Sequence, residues 1–173
     1  LSADLYHTFG KVQTNLLVEG FYTILDDVFA LRDMDDAADG GKVKERYNGS
    51  GATVRGFNVE GRAAFTRWFE LQAGVTLQQS RYKEPEFWSE DAEVPPVRRM
   101  FRTPDAYGYF TASFKPVRNF TADLSGTCTG SMLVQHMAGS GVAQDVAVST
   151  PSFFDMNIRL SYDVRIYKEI TMQ

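Results

Sequence analysis

Phe120-Thr121-Ala122-Asp123-Leu124-Ser125-Gly126-Thr127-Cys128-Thr129-Gly130-Ser131-Met132-Leu133-Val134-Gln135 alternates without interruption. Its even positions carry no charge, and its odd positions are polar except for Leu133. A two-residue period places the two sets on opposite faces of a β-strand. The same period recurs along the chain. Phe69, Leu71, Ala73, Val75 and Leu77 oppose Glu70, Gln72, Gly74, Thr76 and Gln78. Ala106, Gly108, Phe110, Ala112 and Phe114 oppose Tyr107, Tyr109, Thr111, Ser113 and Lys115. Phe154, Met156, Ile158, Leu160, Tyr162 and Val164 oppose Asp155, Asn157, Arg159, Ser161, Asp163 and Arg165. Two stretches are less clean: 57–66, and 12–24, where Leu17 and Phe21 stand among Gln13, Asn15 and Glu19. Partial strands at 1–8 and 169–173 bring the total to about eight. No long window shows apolar residues at helical spacing with caps.

The connections alternate as regularly as the residues do. Short turns fall at Gly10, at Arg67-Trp68, at Pro116-Val117-Arg118 and at 165–168, and long polar segments span 26 to about 50, 81–104 and 136–151. Several strands run well past the 5–6 residues usual in a soluble sandwich. Long strands joined alternately by short turns and long loops are a property of outer-membrane barrels, with short periplasmic turns and long extracellular loops. Charge agrees: in the four cleanest strands every Asp, Glu, Lys and Arg lies on one face. A lipid-facing Arg or Lys near mid-bilayer would cost roughly 2–4 kcal/mol. Phe65, Trp68, Phe69, Phe114, Phe120, Val164 and Tyr167, all but Val164 aromatic, sit at or beside the short turns. At one barrel height they form an interfacial girdle. The fold class expected is therefore all-β, an antiparallel transmembrane β-barrel segment of about eight meandering strands.

Composition bounds the rest. The chain has 173 residues, 43% of them hydrophobic, with a net charge of −4, thirteen Phe, eight Tyr, two His and one Cys. The scattered Lys and Arg and the acidic balance argue against nucleic acid as a partner. A lone Cys128 excludes an internal disulfide and a Cys-based zinc site. A mean hydropathy of −0.28 and the lack of a long unbroken apolar stretch exclude a transmembrane helix, but that mean averages two opposite strand faces with three hydrophilic loops. The chain opens on the alternating segment 1–8 rather than on a signal-peptide pattern, as a piece from inside a larger protein would.

Gly20-Phe21-Tyr22-Thr23-Ile24-Leu25-Asp26-Asp27-Val28-Phe29 resembles a barrel strand entering an extracellular loop in TonB-dependent receptors. Arg99-Met100-Phe101-Arg102-Thr103-Pro104-Asp105-Ala106-Tyr107 is similar to a loop returning to a strand in that family. So is Thr150-Pro151-Ser152-Phe153-Phe154-Asp155-Met156-Asn157, followed by Leu160-Ser161-Tyr162. The resemblance covers essentially the whole chain and is nearest to the C-terminal barrel of receptors of Bacteroides-type bacteria. It implies a barrel of roughly 22 strands with a plugged lumen. It also implies import of a siderophore, corrinoid, glycan or peptide, driven through the TonB system. Residues 1–173 are then a partial outer-membrane β-barrel, the C-terminal region of a larger receptor, with the plug domain and last strand absent. Lipid and the transported substrate would be partners, and a surface lipoprotein could join through the loops. The lumen would carry Glu70, Gln72, Asp123, Asp155, Asn157, Arg159 and Asp163, and lipid would meet Phe110, Leu124, Met156 and Leu160.

No catalytic constellation is visible, so the chain is expected not to be an enzyme and to need no cofactor. His7 and His136 lie on different segments, and the Gly-Ser-Gly runs at 49–51 and 139–141 lack the Lys of a phosphate loop. Trp88, Arg98, Arg99 and Phe101, in the second long loop beside Pro95-Pro96, are the candidate ligand-binding residues. Asp33, Asp35, Asp36 and Asp39 are a weak candidate for a metal, since close carboxylates suit calcium, but the spacing fails the EF-hand template. A solvated acidic loop is the plainer reading. Two alternatives remain: a soluble extracellular β-sandwich binding carbohydrate through aromatic loops, and a self-contained eight-stranded barrel.

Overall fold

The computed structural model describes the backbone of residues 1–33, 44–89, 91, 93–167 and 170–172. It describes the side chains of all of these except 30–33, 44, 165–167 and 170–172. In chain order the strands are β1 (Ser2–Phe9), β2 (Val12–Leu25), β3 (Phe29–Asp33), β4 (Lys44–Asn48), β5 (Ala52–Thr66), β6 (Phe69–Glu86) and β7 (Val97–Arg99). They continue as β8 (Ala106–Val117), β9 (Phe120–Thr129), β10 (Leu133–His136), β11 (Val146–Ser149), β12 (Phe153–Tyr162), β13 (Val164–Tyr167) and β14 (Ile170–Met172). One 8-stranded sheet runs β1-β2-β5-β6-β8-β9-β12, with the short β7 added to the loop end of β6. Every neighbour on this path is antiparallel and is the next long strand in the chain, a meander without crossovers. β1 and β12 are the free edges, so the sheet is not closed.

Period-two residues become faces because the register is in step across the whole sheet. Met156, Gly126, Phe110, Ala73, Gly61, Leu16 and Leu5 form one transverse row. The next row, one residue along and on the opposite face, is Asn157, Ser125, Thr111, Gln72, Arg62, Asn15 and Tyr6. On the first face no Asp, Glu, Lys or Arg stands between the row of Phe69 and the row of Leu77. Those eight steps cover about 26 Å of strand at about 3.3 Å each. Tilted by about 40°, they span about 20 Å of bilayer, and girdle rings lengthen that toward the usual apolar band of about 25 Å.

Among the described residues no core lies behind this face. Ala52 and Ala112 are the buried hydrophobic residues among those described, whereas Ile158 is 70% exposed, Phe57 65% and Leu160 64%. A compact monomer of 19.4 kDa would expose about 8,500 Å². This chain exposes 12797 Å², about half as much again. A sandwich hides its apolar face under a second sheet; here no second layer covers either face among the described residues. The sandwich alternative is therefore not the one adopted.

Three of the four expected short turns are found; the fourth, expected at 165–168, falls largely on β13, and the alternation expected over 154–165 is interrupted at Asp163. Gly10, with φ of 63°, and Lys11 close a two-residue hairpin, and Arg67-Trp68 and Arg118-Asn119 close two more. Along that rim Phe65 stacks on Phe69 at 5.4 Å, Phe69 on Phe114 at 4.7 Å, and Trp68 lies 6.5 Å from Phe114. Phe9, 4.3 Å from His7, joins the same rim at the first hairpin.

Three further details differ from the sequence reading. The alternation over 120–135 belongs to two strands: β9 stops at Thr129, and β10 pairs with β11 in a separate hairpin. The break falls where the Gly130 amide donates to Ala106 O at 2.7 Å and Met132 exchanges bonds with Thr150. The long connections also hold structure of their own, in the β3–β4 and β10–β11 hairpins and in β7. Finally, β14, within 169–173, pairs with β13 rather than with the main sheet, whose eighth member is β7.

Candidate functional site

The polar face carries a hydrogen-bonded ladder. Gln72 Nε2 donates to Glu60 Oε1 at 2.8 Å and to Tyr109 OH at 3.1 Å, and Arg62 Nε meets Glu70 Oε1 at 2.7 Å. Toward the β1 edge, Asp4 accepts from Tyr6 and Asn15, and toward β9 Ser113 Oγ donates to Asp123 at 2.6 Å. Partial exposure makes each bond weak alone, yet together they hold the polar groups in a fixed pattern of donors and acceptors. Glu70, Gln72, Asp123, Asp155, Asn157 and Arg159 share this face, and Phe110, Leu124, Met156 and Leu160 share the other; Asp163, the seventh residue expected in the lumen, falls in the gap between β12 and β13, outside the paired register.

Where β2, β5 and β6 outrun the apolar band, the loops converge on a pocket of about 240 Å³. Phe29, Tyr82, Glu86, Phe87, Trp88 and Phe101 supply most of its wall. β6 delivers Tyr82 from the face that also bears Ser80 and Thr76, and Glu86 from beyond a break in register between Arg81 and Glu86. Trp88 and Phe101 meet edge-on at 5.4 Å, and Trp88 Nε1 donates to Pro95 O at 3.3 Å. Tyr47 OH donates to Glu86 Oε1 at 2.8 Å, tying the β3–β4 hairpin to β6. Burial, with the Glu86 carboxylate second, holds the Tyr82 hydroxyl above its usual value, so it stays a neutral phenol. Aromatic walls around one carboxylate suit a planar or cationic group of about one ring's size.

Of the four residues singled out from the sequence, Trp88 and Phe101 line this pocket. Arg98 and Arg99 instead fasten the loop. Arg98 Nη1 donates to Lys83 O at 3.0 Å, and Arg99 Nη2 reaches Ser131 O and Asp105 Oδ2, each at 3.0 Å. Phe29 and Glu86 escaped the sequence reading, although an aromatic residue placed beyond the apolar end of β2 was the available signal. Asp35, Asp36 and Asp39 lie outside the described residues, as does the side chain of Asp33. Among the described residues no group of three or more His, Cys, Asp or Glu side chains could hold a metal ion.

The three loops are also tied to one another. Ser89 Oγ donates to Asp145 Oδ2 at 2.6 Å, while the Ala138 amide donates to Asp145 Oδ1 at 2.7 Å. Those bonds, the Ser89 hydroxyl first, hold the Asp145 carboxyl below the usual carboxylate range. Lys83 pairs with Asp26, and the Arg102 amide donates to Leu133 O at 2.8 Å.

No family model and no curated protein matches this sequence. Among solved structures it is similar to the copper transporter OprC, with a TM-score of 0.59 and 10% identity over 98% of this chain. It is also similar to the siderophore receptor PirA from Acinetobacter baumannii, with a TM-score of 0.50 and 12% identity over 95% of this chain. The chain spans 23% and 25% of the lengths of those two proteins. At such identities the likeness is one of fold. The all-β meander of long antiparallel strands is a fold these transport and receptor proteins share, and neither is named for catalysis.

Proposed function

We propose that this chain forms part of the barrel wall of a TonB-dependent outer-membrane receptor that binds and imports a nutrient. One observation carries the reading: a single-layer sheet with a charge-free face, a hydrogen-bonded polar face and no core between them. Such a sheet is stable when lipid covers one face and the rest of a barrel closes its edges. The fold likeness to a copper transporter and a siderophore receptor supports the same reading. The chain is then the C-terminal part of a barrel of Bacteroides type, and the plug, the remaining strands and the contact with TonB belong to the rest of the receptor. Trp88 and Phe101 touch the incoming ligand, Arg98 and Arg99 hold their loop, and the outer loop surface is where a lipoprotein would dock. The cargo is a siderophore, corrinoid, glycan or peptide that presents a ring or a cation to the pocket.

Orientation tests it. In the full-length protein with Cys128→Ser, Ser140→Cys should react with a membrane-impermeant maleimide on intact cells. Asn119→Cys should react only after the outer membrane is opened. Equal labelling of both on intact cells would contradict a wall whose short turns face inward.

A further inference from the structure

Among the described residues, the short-turn rim carries cations that no acid answers. Lys11, Arg67, Lys115 and Arg118 stand in or beside its three hairpins. Among the described residues none of these side chains makes a hydrogen bond or an ion pair with the protein; at the loop end Arg81 and Arg102 make none either, but three other cations do. There Lys83 pairs with Asp26, Arg99 with Asp105, and Arg98 caps Lys83 O. Among the described acids, Glu70 is held by Arg62, and Asp163, whose amide meets Asn119 O, pairs with none of the four. A protein of net charge −4 thus presents a cationic edge where its aromatic girdle lies.

Between the Arg67-Trp68 and Arg118-Asn119 hairpins lies an open groove of about 570 Å³ lined by Arg67, Trp68, Lys115, Arg118, Phe120 and Thr121; Lys115 and Thr121 come from the polar-face set, and a break in register between Phe114 and Val117 lets the groove straddle the rim between the two faces. Trp68 stacks on Phe114, so the groove continues upward onto the ring stack and then onto the charge-free face. Two guanidinium groups and one ammonium match a phosphate, with bidentate contacts available from each Arg. Trp and Phe rings at the same level match the junction of headgroup and acyl chain. We infer that this groove binds the headgroup phosphate of an anionic phospholipid in the leaflet that meets the short turns, with its acyl chains along Trp68, Phe114 and Phe120. The inference rests on the membrane reading above and adds to it a defined lipid site.

The test uses the full-length protein reconstituted in nanodiscs holding equal phosphatidylglycerol and phosphatidylethanolamine, with mass spectrometry of the lipid retained after re-extraction in detergent. Wild type should retain phosphatidylglycerol over phosphatidylethanolamine by about tenfold. Arg67→Gln, Lys115→Gln and Arg118→Gln together should bring the ratio near one, whereas Arg67→Lys with Arg118→Lys should keep most of it. A heat-dependent gel shift shows that each variant is folded. Equal retention of both lipids by wild type overturns the site without any variant, and so does an unchanged preference in the folded triple variant. Loss of the preference on adding millimolar glycerol phosphate also overturns it, showing a site for free phosphate instead. Entry into nanodiscs without preference leaves the membrane reading standing, and failure of wild type to enter overturns both.

Discussion

At the scale of residues, the glycines inside the strands show what the outer face is made of. An added Cβ at Gly126 would come 2.5 Å from Phe110 Cε1 and 2.8 Å from Phe154 Cζ. The two rings lie parallel 6.3 Å apart and fill the gap that glycine leaves. Gly61 shares that row, three strands away, and a Cβ there meets nothing within 4 Å. Gly126→Ala should therefore destabilise by about 1–3 kcal/mol, because the rings must move. Gly61→Ala should be neutral or stabilising by up to about 1 kcal/mol, because glycine is a poor strand residue. Urea unfolding in lipid vesicles, followed by Trp emission, measures both. The alternation in the sequence showed that Gly126 faces outward, but it could not show why the position is small. On the other face, Phe21 looks out of place in the sequence because the Gly56 gap that receives its ring lies on a different strand.

At the scale of elements, each strand is a two-sided object, and substitutions should divide by parity. Met156 sits in the middle row of the charge-free band, and Asn157 follows it on the polar face. Met156→Arg should cost roughly 2–4 kcal/mol in vesicles, whereas Asn157→Arg should cost under about 1 kcal/mol; equal losses would mean that the faces are misassigned. The strands, their faces and three of the short turns were legible in the sequence, since each is a local pattern. The loops were not. Nothing local told that 130–135 would leave β9, or that Arg99 would reach Ser131, because those choices depend on partners in other segments, as far as 32 residues away for Arg99 and Ser131. The clasp between Ser89 and Asp145 is of the same kind and has its own signature. Its carboxyl is depressed in the folded state, so its contribution is complete above the ordinary value of 3.8. It fades as the pH falls from there toward the folded value. Hydrogen exchange at the Ala138 amide, corrected for intrinsic rates, should hold its protection from pH 7 to pH 5. Asp145→Asn should lower that protection throughout.

At the scale of the whole molecule, the central claim is that this sheet is a wall between lipid and a polar interior. Its exposed surface, well above that of a compact chain of its mass, and its two free edges are what such a wall shows when considered alone. A nitroxide scan along 121–129 in the full-length protein in lipid, with Cys128→Ser as background, tests this most directly. At 122, 124, 126 and 128, collision rates with oxygen should be high and those with a water-soluble nickel complex low. At 121, 123, 125, 127 and 129 the relation should reverse, giving two curves of period two in opposite phase. Even positions closed to oxygen and nickel alike would instead mean a protein core behind that face, and would contradict the account.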